Sequence, residues 1–488
     1  MRLLTRPAIG LLWLFSRIIE AIANPLQAWF VAHPEIKWWR EVLRLGLIQF
    51  GVGLSIAPIS GTLNRVLITE LDVPAVAIGF LISLHYFVSP VRVMIGFRSD
   101  QARSNGTWRT PYVVLGVMLT FAGLALAPFA LILLRGDGML TFIPAMIVCT
   151  IIFAIYGAGI NIVETIYLAL VSDITPREQR GKVISVLWVM LILGTIVSAI
   201  IVSGLLVDYT HQRLIQVMQG SAMVFVVLTV IALWKQERLR PDGTIIELEE
   251  NESENTRVRA TLWESLRELT NQPLLKGLFV IIFIATMAFA THDVLLEPYG
   301  GDVLGMSVSE TMWLTALWGV TTIIGVVSAG LMLWRKQPPA LLIGLGCGVG
   351  LVGFGVITYA SDTLLILPFQ IGVGLISIGR GVFLVGSIIL LMSLTDVNHA
   401  GLFLGLWGIV QAMAQGIGTI GGGLVRDIAE IQFNSTVLGY TTVYMTSLAL
   451  LLSVVLILAL RLGRHLTVSE IRLPWDNIDD IPADQLTF

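Results

Sequence analysis

The stretch Gly61–Tyr112, GTLNRVLITELDVPAVAIGFLISLHYFVSPVRVMIGFRSDQARSNGTWRTPY, joins the end of one apolar span, a complete second span and a basic hairpin. From Pro74 to Phe97 nearly every residue is apolar, and at ~1.5 Å of rise per residue such a helix crosses the ~30 Å hydrocarbon core of a bilayer. At its far end Gly96 and Asp100 make a G-x-x-x-D step, followed by Arg103, Gly106 and Arg109 in a turn closed by Pro111. Gly96 lets a neighbouring helix approach closely. Asp100, just past the helix end, is placed to accept amide hydrogen bonds from another helix's start or to pair with an arginine. The step is expected to act as a gating latch together with Arg103 and Arg109. The alternative for the two arginines is that they only set topology from a wet loop.

Composition extends this reading to the whole chain. Of 488 residues, 56% are hydrophobic and 13% charged, with a mean hydropathy of +0.85, which excludes an ordinary soluble domain. Twelve spanning helices are predicted at 43–68, 75–98, 110–134, 140–172, 182–207, 214–236, 273–299, 308–334, 338–360, 363–394, 399–427 and 435–462. Residues 1–42 mix Trp13, Trp29, Trp38 and Trp39 with Arg2, Arg6, Arg17, Lys37 and Arg40, a combination suited to the headgroup level, so one or two interfacial helices are expected there. Arg17 and Glu20 interrupt the apolar run that a signal peptide would need.

The charged run 237–272 is too polar to enter lipid and reads as a linker between a six-helix bundle at 43–236 and a second at 273–463. Residues 464–488 form a polar tail. Trp188 to Asp208 and Trp407 to Asp427 share one spacing, with Gly204 and Gly423 each four residues before the aspartate, as expected of two related halves. Basic residues favour the hairpins at 98–109, 177–182, 235–276 and 335–336, which places both termini in the cytoplasm. The net charge of −3 and the absence of a basic stripe argue against a nucleic-acid partner. Cys149 and Cys347 lie far apart in apolar runs and read as packed thiols rather than a disulfide or metal pair.

The two halves, the long central loop and the G-x-x-x-D hairpin resemble the major facilitator superfamily. Gly61-Thr-Leu-Asn64-Arg65-Val, Glu70-Leu71, Val73-Pro74, Gly96-Phe-Arg98-Ser-Asp100, Trp108-Arg109 and Pro111-Tyr112 look like its PucC-type bacteriochlorophyll delivery family. Ser172-Asp173, Pro176, Arg180-Gly181, Trp188, Trp407-Gly408 and Gly421-Gly-Gly423 fit the same pattern but are shared more widely among facilitators. The resemblance implies a photosynthetic membrane protein, in a bacterial intracytoplasmic or thylakoid membrane, that assembles light-harvesting complexes. It would handle bacteriochlorophyll or chlorophyll, chaperone antenna subunits, or both, with reaction-centre or pigment-synthesis proteins as further partners. The chain departs from facilitators in its second half, where Gly330 is followed by Trp334 and Arg335-Lys336 and the acidic member of the hairpin is missing.

Ionisable residues within spans are functional hypotheses by default. Glu164, nine residues before Asp173, and Arg380, sixteen before Asp396, occupy equivalent helices of the two halves. They read either as a substrate or proton-coupling pair or as a structural ion pair between the halves. A magnesium porphyrin needs an axial donor on a broad apolar wall, and imidazole supplies one. His85, followed by Tyr86 and Phe87, is the first candidate and His292 the second; a packed, hydrogen-bonded histidine is the alternative for both. Asn161, Gln411 and Gln415 are weaker donors and read more readily as interhelical hydrogen-bond partners. Asn64 and Arg65, inside the most specific block, either bind a pigment propionate or phosphate group or serve structure by capping and snorkelling. Walker, H-E-x-x-H, G-x-S-x-G and cysteine-cluster motifs are missing from the sequence, so an enzyme is not expected. The competing function is a proton-linked transporter of a small polar solute.

Overall fold

The computed structural model describes residues 34–89, 92, 94, 95, 98, 99, 109–135, 140–175, 180–234, 273–393 and 400–462. They form helices α1 (Pro34–Ala57), α2 (Ala75–Phe87), α3 (Thr110–Leu126), α4 (Phe142–Ile174), α5 (Arg180–Leu205), α6 (His211–Leu233), α7 (Pro273–Ala290), α8 (Val308–Trp334), α9 (Pro339–Thr363), α10 (Ile366–Ser393), α11 (Ala400–Phe433) and α12 (Thr436–Ile457), with a short helix Leu296–Asp302 between α7 and α8. Among the described residues nine helical segments, 23 to 33 residues long, are apolar enough to cross a membrane, and Ala75–Phe87 and Leu275–Ala290 are shorter apolar helices. Large apolar side chains such as Ile143, Ile147 and Ile151 of α4 point outward, whereas Asn64, Arg65, His292 and Arg380 are buried. That distribution suits hydrocarbon as the solvent.

Helix limits differ from the sequence reading in several places: α2 ends at Phe87 rather than 98, the third span is interrupted at Ala127–Phe129, α11 runs to Phe433 rather than 427, and the first and seventh spans depart further. α1 begins at Pro34, so residues 34–42 belong to the first long helix, and residues 1–33 lie outside the described set, as do the linker 237–272 and the tail 464–488. Pro58 lacks the amide hydrogen that the α-helical ladder needs, and α1 continues through wider π-type turns at Pro58–Leu63 and Val66–Glu70, with Asn64 and Arg65 between them. The seventh span is not continuous: α7 stops at Ala290 and the chain turns through Thr291–Leu295 before the short helix. Pro298 cannot donate to the carbonyl four residues back, Val294, so the ladder is open where the turn lies.

Packing repeats with an offset of six helices. α1 packs on α5 and α6, α2 and α3 on α4, and α3 on α6; correspondingly α7 packs on α11 and α12, α8 and α9 on α10, and α9 on α12. The halves meet through α2 with α11 and through α5 with α8, two pairs that exchange under the same pseudo-two-fold.

Every described hydrogen bond between the halves lies at one end of the molecule, where α1 turns into α2 and α11 into α12. Thr62 Oγ1 donates to Met312 Sδ (2.8 Å), Asn64 Nδ2 to the Val294 carbonyl (2.7 Å) and Arg65 Nη2 to the Met306 carbonyl (2.9 Å), while Ser203 Oγ and Ser309 each bond the other's carbonyl. We call this the sealed end.

α2 illustrates how the seal forms. Its N-cap is Pro74, which offers no side-chain acceptor, so the first amides of the helix need one from elsewhere. The carboxylate of Asp427 on α11 supplies it, accepting from Ala75 N (3.1 Å) and Val76 N (2.8 Å). Gly423, one turn earlier, makes the approach feasible: a Cβ there would stand 2.6 Å from the Ala75 carbonyl oxygen. The repeat partner Asp208 behaves differently. It is 89% exposed and lies 3.6 Å from Arg213, and α8 is capped by its own Ser307–Glu310 capping box.

Asp427→Ala is therefore expected to destabilise the protein by about 1 kcal/mol, within the ~0.5–2 kcal/mol range of helix caps. It should also raise thiol-reagent access to a cysteine placed at the sealed end. Asp427→Asn should retain most of the stability, because asparagine caps as well as aspartate. Equal losses from Ala and Asn would assign the effect to the neighbouring charge of Arg426 instead of the cap.

Candidate functional site

Two ion pairs are set within the bundle, one per half. In the first half Arg92 Nη2 donates to Glu164 Oε2 of α4 at 2.5 Å, and its Nε donates to Asn161 Oδ1. Asn161 in turn donates from Nδ2 to the carbonyls of His85 and Gly157, both at 2.7 Å, which ties α4 to α2. In the second half Arg380 Nη1 of α10 donates to both oxygens of Asp293, at 2.8 and 3.0 Å, and its guanidinium lies over the Trp318 ring, 5.6 Å from the centroid. Asp293 reaches α10 because it stands in the turn that interrupts the seventh span.

Glu164 and Arg380 are thus not partners of each other. Each is neutralised within its own half, which is what a low-dielectric interior requires when a nearer counter-ion exists. Arg92 carried a readable signal, a lone cation at the end of an apolar run; Asp293 carried a weaker one beside His292.

The two histidines occupy different surroundings. His85 is partly exposed, its Nδ1 lies 2.6 Å from the Ile82 carbonyl, and its ring lies against Tyr86, centroids 3.7 Å apart and planes tilted by 41°. With Nδ1–H donating to that carbonyl, the lone pair falls on Nε2. His292 has no accessible surface, and its ring meets Phe354 edge-on at 5.3 Å. A tetrapyrrole cannot reach it in this conformation. Gln411 of α11 accepts from Thr286 of α7 at 2.9 Å, an interhelical bond.

Asn64 and Arg65 stand in the seal. Arg65 is 4% exposed; besides Met306 it pairs with Glu70 at 2.9 Å, and Gly301 lies against its guanidinium. A structural role is therefore present for both residues. Of the expected latch, Gly96, Asp100 and Arg103 lie outside the described residues, while Arg109 is buried and donates to Ser99 Oγ at 2.5 Å. At the sealed end a further charged cluster joins the short helix to α11 and α12. Arg426 lies 3.6 Å from Asp302, 3.1 Å from Asp427 and 2.6 Å from Glu430, and Tyr440 donates to Asp302 at 2.6 Å. Among the described residues no group of three or more His, Cys, Asp or Glu side chains could hold a metal ion, and Cys149 and Cys347 are both buried and free.

The sequence profile of the family described as "PUCC protein" matches residues 62–465. The chain belongs to the PUCC family. Protein PucC of Rhodovulum sulfidophilum is 38% identical over 396 residues, 80% of this chain and 86% of the relative. A Rhodobacter capsulatus protein described as uncharacterized, in the puhA-bchM intergenic region, is 36% identical over 453 residues, 90% and 92% of the two chains. The "bacteriochlorophyll synthase 44.5 kDa chain" of Rhodobacter capsulatus is 30% identical over 401 residues, 80% of this chain and 89% of that one. Among solved structures, the inward-facing bacterial homologue of the lysosomal transporter Spinster superposes with a TM-score of 0.64 at 14% identity, over 89% of this chain and 98% of that one. The xylose transporter XylE of E. coli, partially occluded and inward open, gives 0.58 at 13% identity, over 86% and 96%. The fold is that of the major facilitator superfamily, and this PUCC member is a multi-pass membrane protein.

The pairing pattern is testable by double-mutant cycles. Glu164→Gln alone and Arg92→Gln alone should each destabilise, and the double variant should recover part of the loss, because a lone buried charge costs more than none. The recovery is expected to be modest, since the Arg92 side chain is 41% exposed. Glu164→Gln and Arg380→Gln should instead add to within about 0.5 kcal/mol. Recovery in that second combination, read by thermal unfolding in detergent, would show that the halves do pair through these charges.

Proposed function

We propose that this PUCC-family protein serves the assembly of photosynthetic light-harvesting complexes by handling bacteriochlorophyll or chlorophyll and by chaperoning antenna subunits in the membrane. The observation that carries the reading is family membership across residues 62–465, joined by the 30%-identical Rhodobacter capsulatus relative whose name refers to bacteriochlorophyll. The residues present fit such a pigment. His85 offers one imidazole whose Nδ1 is engaged with the Ile82 carbonyl, and a backbone acceptor of this kind fixes the ring and leaves Nε2 as the donor to a metal. Its position on α2, beside Tyr86 and between apolar turns, supplies a ring-sized aromatic neighbour. The bound group would bring the magnesium and the light absorption; the chain holds, orients and shields it from water. His292, wholly enclosed, takes no part.

In this reading both termini face the cytoplasm and the sealed end the opposite side, which the bias of basic residues supports, and the family likeness supports an intracytoplasmic or thylakoid membrane. Partners of the reading are antenna polypeptides, with reaction-centre or pigment-synthesis proteins beyond them. Purification of the full chain from a pigmented host tests it: tetrapyrrole absorbance and antenna polypeptides should co-elute. Colourless protein that catalyses proton-coupled uptake of a small polar solute in liposomes would overturn it in favour of transport.

His85→Leu keeps apolar volume and removes the donor. In a still-folded protein it should abolish bound pigment or shift its absorption band to the blue. Pigment retained with an unaltered spectrum would remove His85 as the axial ligand while leaving delivery through antenna subunits intact.

A further inference from the structure

The short helix that follows the break in α7 carries a carboxylate that neither ion pair uses. Glu297 is 4% exposed. Its Oε1 accepts from Thr315 Oγ1 of α8 at 2.6 Å, its Oε2 is buried with no hydrogen-bond partner, and none of the described ion pairs includes it. An ionised carboxylate so enclosed, without a cation, costs several kcal/mol, about the effective penalty per ion in protein interiors. The neutral acid avoids that cost.

Glu297 also lies at the contact between the halves. Thr315, which holds it, faces Gly61 of α1 so closely that a Cβ on Gly61 would stand 2.9 Å from the threonine oxygen. Thr62 bonds Met312, one turn earlier on α8, and Asn64 bonds Val294, three residues before Glu297. We propose that Glu297 is a proton-binding site whose loading is tied to closure of the sealed end.

The groups facing it support one sign. From its own segment Asp293 is acidic and already bound by Arg380. From α12 Tyr444 presents a buried hydroxyl without a partner. α8 contributes Thr315, and α1 contributes uncharged Gly61, Thr62 and Asn64, while Arg65 is directed to Glu70 and the Met306 carbonyl. With no cation among the described residues turned to Glu297, the sealed state binds the proton. Parting of the halves hydrates the carboxylate and releases it. The sealed form is therefore favoured at low pH and lost as pH rises, because the state that binds more protons gains in acid. The site does not depend on pigment or antenna binding and would operate with any cargo.

The test uses the full chain in lipid nanodiscs, with Cys149→Ala, Cys347→Ala and a reporter Met306→Cys in the seal, reacted with a water-soluble maleimide. Labelling, normalised at each pH to the same reporter thiol in the unfolded chain so that thiolate formation cancels, should rise about tenfold between about pH 6 and pH 9, a tenfold change corresponding to ~1.4 kcal/mol. Glu297→Gln, a permanent mimic of the protonated acid, should label slowly at every pH, and Glu297→Asp should keep the rise. Infrared spectra should show a protonated-carboxyl band at neutral pH that Glu297→Gln removes and Glu164→Gln leaves. The same pH profile in Glu297→Gln as in the parent, a flat parent profile, or an unchanged infrared band in Glu297→Gln would each overturn the proposal.

Discussion

Two backbone amides at the start of α2, those of Ala75 and Val76, have no acceptor in their own half, and the carboxylate of Asp427 answers them from the other. In water such amides would be hydrated at little cost. Within or at the edge of a bilayer they must find a protein partner, and a helix whose N-cap is proline has nothing local to offer. The seal between the halves follows from that need. Once α11 approaches α2 closely enough for the cap, with Gly423 removing the steric obstacle, Asn64 and Arg65 are carried to the carbonyls of Val294 and Met306. The seal is asymmetric because α8 provides its own cap through Ser307 and Glu310 and does not draw on Asp208.

The internal charges follow a different rule. Arg92 with Glu164, and Arg380 with Asp293, are each closed within one half, so rigid motion of one half past the other breaks neither pair. The connections that do cross are hydrogen bonds, worth about 1 kcal/mol where both partners are neutral and ~1.5–3 kcal/mol where Asp427 accepts from the α2 amides or Arg65 donates to a carbonyl. Such a division keeps the expensive electrostatics intact while leaving the cross-half contacts weak enough to exchange.

Much of the fold was legible in the sequence because length and hydropathy are themselves the constraint in lipid. The twelve spans, the division into halves and the Trp188–Asp208 and Trp407–Asp427 repeat are all readable from spacing, and family motifs between Gly61 and Tyr112 pointed to the PUCC family. The arrangement of charges was less so. Glu164 and Arg380 stand out as ionisable residues in equivalent helices, yet which counter-ion each meets depends on helix rotation, and hydropathy does not encode rotation. Arg92, at the ragged end of a span, was not singled out. Asp293 and Glu297 looked like the external edge of a continuous seventh helix, and only the break after Ala290 turns them inward. Asp427 was visible as a repeat landmark, but its service to the bare amides of α2 depends on contacts 351 and 352 residues away in the chain, a separation across which periodicity says nothing.

The interruption of the seventh span has a mechanical side. Because Pro298 leaves the Val294 carbonyl without its helical donor, that oxygen is available to Asn64 of α1, and Asp293, the very next residue back, is clamped by Arg380 of α10. Two adjacent residues, Asp293 and Val294, thus couple a side chain of the first half to a charge deep in the second. A pull on α1 is delivered to the α7–α10 pair along the stiffest path the chain possesses, a covalent backbone two residues long. The kink is the linkage rod of the molecule, and its stiffness sets how faithfully movement at the seal is reported in the interior.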